Sequence, residues 1–182
     1  MTRGASAGAV HVAEVVASHL RNVPDFPEPG VNFKDFSPLL ASGPATATVV
    51  RDIASRYDGH VDVVAGIEAR GFILGAVVAY ELGVGFVPVR KVGKLPGPTL
   101  SAEYILEYGN AVLEVRTDAF TPRARALLLD DVLATGGTAE AASELIERAG
   151  AVVTAFEAVI ELTALGGRSR LGGRQVHTIL AL

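Results

Sequence analysis

Residues 126–150 read ALLLDDVLATGGTAEAASELIERAG. The apolar run Ala126–Leu129 meets two adjacent carboxylates, Asp130 and Asp131. A loop of small residues follows, Ala134-Thr135-Gly136-Gly137-Thr138, and a helical pattern takes over from about Ala139. The order strand, loop, helix turns loop amides and a helix N-terminus towards an anion. Gly136 and Gly137 permit positive φ and close approach of backbone to a ligand, and Thr135 and Thr138 add hydroxyl donors. The two carboxylates repel phosphate but suit sugar hydroxyls or a hydrated cation. The competing reading is a tight βα turn with solvated acids. A Walker loop is excluded, because GxxxxGK[ST] is absent. The dinucleotide pattern GxGxxG also fails, with Pro88 where its third glycine belongs.

Working outward, Val12, Val15, Val16 and Leu20 recur at helical spacing and predict a helix over about 9–22. Pro24, Pro27 and Pro29 then make 23–30 an extended connector. Ser37-Pro38 marks a helix start, and 44–57 forms a further helix. Branched apolar residues at 61–65 and 86–89 predict buried parallel strands on either side of a helix at 72–82. Gly93, Pro96, Gly97 and Pro98 break regular structure between Lys91 and Thr99. The weakly alternating 101–108 and better alternating 111–116 then form an antiparallel hairpin. Strands follow at 152–160 and 176–182, separated by a basic, glycine-rich loop at 166–173. This alternation predicts an α/β fold with a central, mainly parallel sheet and helices on both faces. Its ligand lies beyond the carboxyl ends of the strands, where loops 66–71, 90–99 and 130–138 share an address.

At 182 residues the chain suits a single domain. Its hydrophobic content of 49% has few aromatics, and a net charge of −4 argues against a general nucleic-acid or membrane surface. Having no cysteine rules out disulfides and thiolate metal sites. No apolar run is long enough for a transmembrane helix, and His11, Glu14 and His19 interrupt any signal-peptide core. A cytoplasmic protein is expected. The four histidines lack metal-ligand spacing, and neither GxSxG nor HExxH occurs.

Five blocks together resemble the adenine phosphoribosyltransferase family, within the type I phosphoribosyltransferases. They are VPDFPEPGVNFKDFSPLL at 23–40, GIEARGF at 66–72, PVRKVGKLPGPT at 88–99, LEYG at 106–109 and LLLDDVLATGGT at 127–138. The first and third separate this family from its relatives. The resemblance implies a small N-terminal, hood-like base-binding segment over about 1–40. It also implies a flexible β-hairpin lid over about 90–116. Asp130 and Asp131 are then expected to meet the ribose hydroxyls, and Ala134, Thr135, Gly136, Gly137 and Thr138 to wrap the 5′-phosphate. Arg70, Arg90, Lys91 and Lys94 face the pyrophosphate, which the backbone at Glu68 and Ala69 also lines. Phe33 stacks on adenine, and backbone groups over Val31, Asn32, Phe33 and Lys34 read its edge. Glu107 takes the acid/base role on the lid. Simple packing for Phe33 and a surface position for Glu107 remain the competing readings of those two residues.

The implied reaction is adenine plus 5-phosphoribosyl diphosphate giving AMP and pyrophosphate, in purine salvage. Mg²⁺ is expected to ride mainly on substrate oxygens rather than in a protein site, and a homodimer is implied. Nucleic-acid and membrane partners are not expected. Two alternatives stay open. One is a type I enzyme acting on hypoxanthine, xanthine or orotate; the other is a non-enzymatic sensor of the sugar diphosphate.

Overall fold

The structure, a computed structural model, describes residues 4–106 and 109–182. These form two compact units, Met1–Ile53 and Ala54–Leu182.

The first unit contains helix α1 (Gly4–Ser18), a two-stranded antiparallel ribbon of β1 (Arg21–Pro24) and β2 (Asn32–Asp35), and the short helix α2 (Ser37–Ala41). It continues into α3 (Gly43–Tyr57), whose last turn belongs to the second unit. Pro38 occupies the first turn of α2. The predicted helix over 9–22 is corrected at its end: α1 stops at Ser18, and residues 21–24 are strand. Cross-strand partners explain the difference. Arg21 lies opposite Asp35 and donates to Oδ2 from Nε (3.1 Å) and Nη2 (2.6 Å), while Lys34 Nζ donates to Asn22 Oδ1 at 2.7 Å. Pairing over thirteen residues competes with helical spacing that is purely local, and here it wins. Pro24 ends the strand, where its missing N–H costs no ladder bond.

The second unit is built on a seven-stranded sheet. In chain order its strands are β3 (Val63–Ile67), β4 (Gly85–Lys91), β5 (Thr99–Leu106), β6 (Gly109–Arg116), β7 (Arg125–Leu133), β8 (Val152–Glu161) and β9 (Val176–Ala181). Their order across the sheet is β5-β6-β4-β3-β7-β8-β9. The strands from β4 to β9 in that row are parallel, and β6 and β5 are added antiparallel. Helix α4 (Arg70–Leu82) links β3 to β4, and α5 (Gly137–Arg148) links β7 to β8. The two crossovers run in opposite directions across the sheet. Right-handed connections therefore place the helices on opposite faces.

Leu127, Leu128 and Leu129 of β7 are all fully buried, as a strand covered on both faces requires. Each such side chain contributes about 1.5–3 kcal/mol of burial. Val87, Val89, Leu113, Val115, Phe156, Leu145 and Ile146 share one core cluster with Leu128. The basic loop after β8 is less irregular than expected, with short 3-10 turns at Thr163–Leu165 and Gly167–Leu171.

Candidate active site

The chain enters the sheet at β3, steps to β4 on one side, and later returns to β7 on the other. The carboxyl ends of β3 and β7 thus flank a topological switch point, where an open α/β sheet offers a crevice. The pairing of β3 with β7 ends at Gly66–Leu129, because β3 soon leaves the sheet to start α4 at Arg70. Strand β7 runs on to Leu133. Asp130 and Asp131 therefore belong to the strand itself, not to the loop after it, and lie where the β3 edge has fallen away.

Small residues let α4 come down onto this edge. A Cβ on Gly71 would lie 2.8 Å from the Leu129 carbonyl oxygen and 3.2 Å from Asp130 Oδ1. Helix α4 thereby brings Arg70 to Asp131, with Nη2 2.9 Å from Oδ2. Asp131 Oδ2 is buried and, among the described residues, has no hydrogen-bond donor aligned on it, so the contact is an ion pair. Asp130 Oδ1 accepts the Asp131 N–H at 2.9 Å. Burial, followed by the neighbouring Asp131 charge, pushes the Asp130 carboxyl well above the ordinary aspartate value, and Arg70 opposes the shift. The pair is poised to gain from a cation or from hydroxyl donors.

Beyond β7 the residues Ala134 to Thr138 lead into α5, with Gly136 at its N-cap and φ +82°. The first helical bond there runs from Glu140 N–H to the Gly136 carbonyl, at 2.9 Å. Amides before it face out of the helix start. A side chain at Gly136 would overlap the Gly167 carbonyl oxygen and sit 3.0 Å from its carbon. Glycine is thus required first because loop 166–167 packs behind the turn. Sequence reasoning missed Gly167, whose own Cβ would overlap the Ala134 carbonyl and lie 2.8 Å from the Gly136 nitrogen. Only its GG dipeptide hinted at close packing.

The third loop is organised by a carboxylate. Glu68 receives the Arg90 guanidinium on both oxygens, Nε to Oε2 at 3.3 Å and Nη2 to Oε1 at 3.2 Å. Glu68 Oε2 also accepts the Lys91 N–H at 3.0 Å. These partners, Arg90 foremost, hold the Glu68 carboxyl below its usual range. The Glu68–Ala69 peptide is cis. The sequence reading assigned Glu68 only a backbone role; its side chain here orients a cation. Arg90 also lies over the Phe72 ring, 5.8 Å from the centroid, and donates from Nη1 to the Lys94 carbonyl at 3.1 Å. Lys91 and Lys94 are exposed on either side of Gly93.

Gly93 to Pro98 lacks regular structure, as expected, but it is tied to β6. Another missed residue is Tyr104, buried on β5; burial pushes its phenol upward, and the Thr138 side chain opposes that shift. The weak alternation of 101–108 gave no sign of it. Glu107 lies outside the described residues. Val31 to Lys34 sit in the first unit, Val31 just before β2 and the others on it. Phe33 is half-buried and meets Phe26 edge to face, with ring centroids 5.2 Å apart. Among the described residues no three His, Cys, Asp or Glu side chains come together to hold a metal ion. No helix among them is long and apolar enough to cross a membrane.

A model of the phosphoribosyl transferase domain matches residues 40–164. The adenine phosphoribosyltransferase of Salinispora tropica is 57% identical over 172 residues, covering 93% of this chain and 91% of that protein. The crystal structure of the adenine phosphoribosyltransferase of Thermoanaerobacter pseudethanolicus matches with a TM-score of 0.90 at 44% identity, over 93% of this chain and 99% of that one. The Saccharomyces cerevisiae enzyme, crystallised with an imino-altritol bisphosphate and adenine, matches with a TM-score of 0.90 at 36% identity, over 94% and 99%.

Proposed function

The chain belongs to the adenine phosphoribosyltransferase family, and from that premise we propose that it joins adenine to 5-phosphoribosyl diphosphate, giving AMP and pyrophosphate in purine salvage. The observation that carries this reading is the sequence of groups along one edge of the crevice. The Asp130–Asp131 pair, engaged by Arg70, leads directly into the amides before α5. Hydroxyls at one end of a sugar phosphate and the phosphate at the other match those two chemistries.

In the reaction a bond forms between an imidazole nitrogen of adenine and the anomeric carbon. The bond from that carbon to the pyrophosphate oxygen breaks, and the electron pair leaves with pyrophosphate. Positive charge spreads over the ribose ring oxygen at the transition state, and negative charge grows on the leaving group. Arg70 and Arg90, with Lys91 and Lys94, stabilise that growing negative charge. Both arginines are already held by carboxylates, Asp131 and Glu68, and so cost little reorganisation when substrate arrives. Ala134 to Thr138 fix the 5′-phosphate and orient the ring. We assign base recognition to Val31, Asn32, Phe33 and Lys34, and exchange of the imidazole proton to Glu107.

Mg²⁺ would ride mainly on substrate oxygens, and Asp130 and Asp131 suit its water shell: both are hard oxygen donors, and Asp131 Oδ2, ion-paired with Arg70 at 2.9 Å, has no aligned N–H or O–H donor among the described residues. When bound with the substrate, Mg²⁺ supplies charge neutralisation on diphosphate oxygens.

A homodimer is part of the proposal. Ile73, Val77 and Tyr80 form an exposed stripe on α4, with Tyr80 85% exposed, and an apolar stripe of this kind fits a second copy. Light scattering that reports a monomer at working concentration would remove it. The protein is assigned to the cytoplasm, in keeping with its cysteine-free composition; secretion of the full-length product would contradict this. One assay tests the main claim: pyrophosphate release with adenine, guanine, hypoxanthine and orotate. Adenine alone is expected to turn over. Preference for another base, or sugar-diphosphate binding without turnover, would refute it.

A further inference from the structure

The loop that carries Lys94 spans residues 92–98 between β4 and β5, and in doing so it must cross β6, which lies between them in the sheet. Two β6 residues on the same strand face, Glu114 and Arg116, meet its backbone. Glu114 Oε1 accepts the N–H of Lys94 at 2.7 Å and of Leu95 at 2.8 Å. Arg116 donates from Nη1 to the Pro96 carbonyl, and it closes against Gly97, whose φ is +80°. Just past β6, Thr117 donates its N–H to the Pro98 carbonyl at 3.2 Å. A carboxylate thus gathers the loop's donors, and a guanidinium takes one of its acceptors.

Glu114 is only 3% exposed, and its register partner on β4 is Arg90. That arginine does not pair with it. Arg90 turns instead to Glu68, and through Nη1 to the carbonyl of the same Lys94 whose N–H is held by Glu114. The Lys94–Leu95 peptide, with its N–H on Glu114 and its carbonyl on Arg90, therefore stands between a buried anion and the cation of the site. Burial raises the Glu114 carboxyl, but the N–H groups of Leu95, Lys94 and Gly93, with the Thr99 hydroxyl, outweigh it and hold the group below its usual value. An ionised carboxylate satisfied by backbone donors is a stiff anchor, because losing any donor exposes a buried charge.

We propose that Glu114 is a positioning residue for the diphosphate end of the site: by fixing residues 93–95 it sets the Lys94 carbonyl that orients Arg90, and places Lys94 itself. This rests on the reading of Arg90 and Lys94 as pyrophosphate contacts. Glu114 touches no substrate; it acts through the loop.

Steady-state kinetics of Glu114→Ala and Glu114→Gln test it, together with amide hydrogen exchange on the unliganded wild-type protein. In Glu114→Ala the KM for 5-phosphoribosyl diphosphate is expected to rise about tenfold, the size of one charged hydrogen bond lost, with adenine KM within about twofold. Glu114→Gln keeps an acceptor oxygen and is expected to recover most of that loss. In the wild type, the Lys94 and Leu95 amides are expected to exchange as slowly as those of β6. A folded Ala variant with native sugar-diphosphate KM overturns the proposal, and so does an equal rise in both KM values with a lowered Tm. If the Ala variant does not fold, free-loop exchange rates at Lys94 and Leu95 in the wild type overturn it instead. A wild-type protein that makes no AMP overturns the functional reading beneath it.

Discussion

Replacing Gly136 by alanine isolates the packing that shapes the phosphate loop. At φ +82° an alanine costs about 1–2 kcal/mol in backbone strain. Its Cβ would also lie 3.0 Å from the Gly167 carbonyl carbon and 3.1 Å from its Cα, against an ordinary carbon contact of about 3.5–4.0 Å. The turn or loop 166–167 must therefore move by roughly half an ångström to one ångström, and such overpacking costs about 1–3 kcal/mol. Together these predict a loss of about 2–5 kcal/mol, or a Tm lower by roughly 5–15 °C for a chain of this size. A displacement near 1 Å in the phosphate amides carries up to about a hundredfold loss in activity. The expected signature is a raised KM for 5-phosphoribosyl diphosphate at saturating adenine, measured by initial rates, beside the Tm shift from calorimetry. Gly167→Ala makes the same collision from the other side, at a residue outside the left-handed region. It is expected to reproduce the KM change with a smaller Tm loss. If Gly136→Ala keeps its Tm within about 2 °C and its KM within twofold, the glycine contact does not shape the site, and the reasoning fails.

Three further outcomes follow from the same geometry. Phe33→Ala is expected to raise the adenine KM by a factor corresponding to about 1–3 kcal/mol of lost stacking, with a smaller change for the sugar diphosphate; equal weakening of both would make Phe33 a packing residue. Glu107→Gln removes an ionisable group with little change of size, so kcat is expected to fall about 10²-fold or more; a native single-turnover rate would demote Glu107 to a positioning role. The Asp130 carboxyl titrates higher in the fold than its ordinary value of 3.8. The stability tied to it is complete below that value and is lost as pH rises through the folded one. At neutral pH Asp130→Asn is therefore expected to raise the Tm of the unliganded protein while raising the sugar-diphosphate KM, with the Tm gap narrowing towards acid. A variant less stable than wild type at neutral pH would count against this account.

How much of this was legible in the chain depended on how local the determining contacts were. The run ALLLDDVLATGGT specified strand, loop and helix because each step is set by neighbours within a turn: branched and leucine burial, glycine at positive φ, and a helical period after Ala139. Its order among the other βα units then gave the parallel sheet, and so the end at which the site lies. The first helix was read too long, since nothing within 9–22 reveals that Arg21 pairs with Asp35. Whether Asp130 and Asp131 belong to strand or loop was settled by β8, which pairs with β7 as far as Leu133, a property of another segment. Gly136 was recognised as necessary, but its collision partner, Gly167, is thirty-one residues away in the chain and unreadable from the turn itself. Glu68 was placed at the pyrophosphate end only through its backbone and Glu114 drew no notice, and only the fold makes their side chains anchors for Arg90 and for the backbone of Lys94. The sequence supplied the residue types that the proposed chemistry calls for. Tertiary structure decided which of them are held still, because a buried carboxylate acquires its role from donors that the chain brings to it from elsewhere.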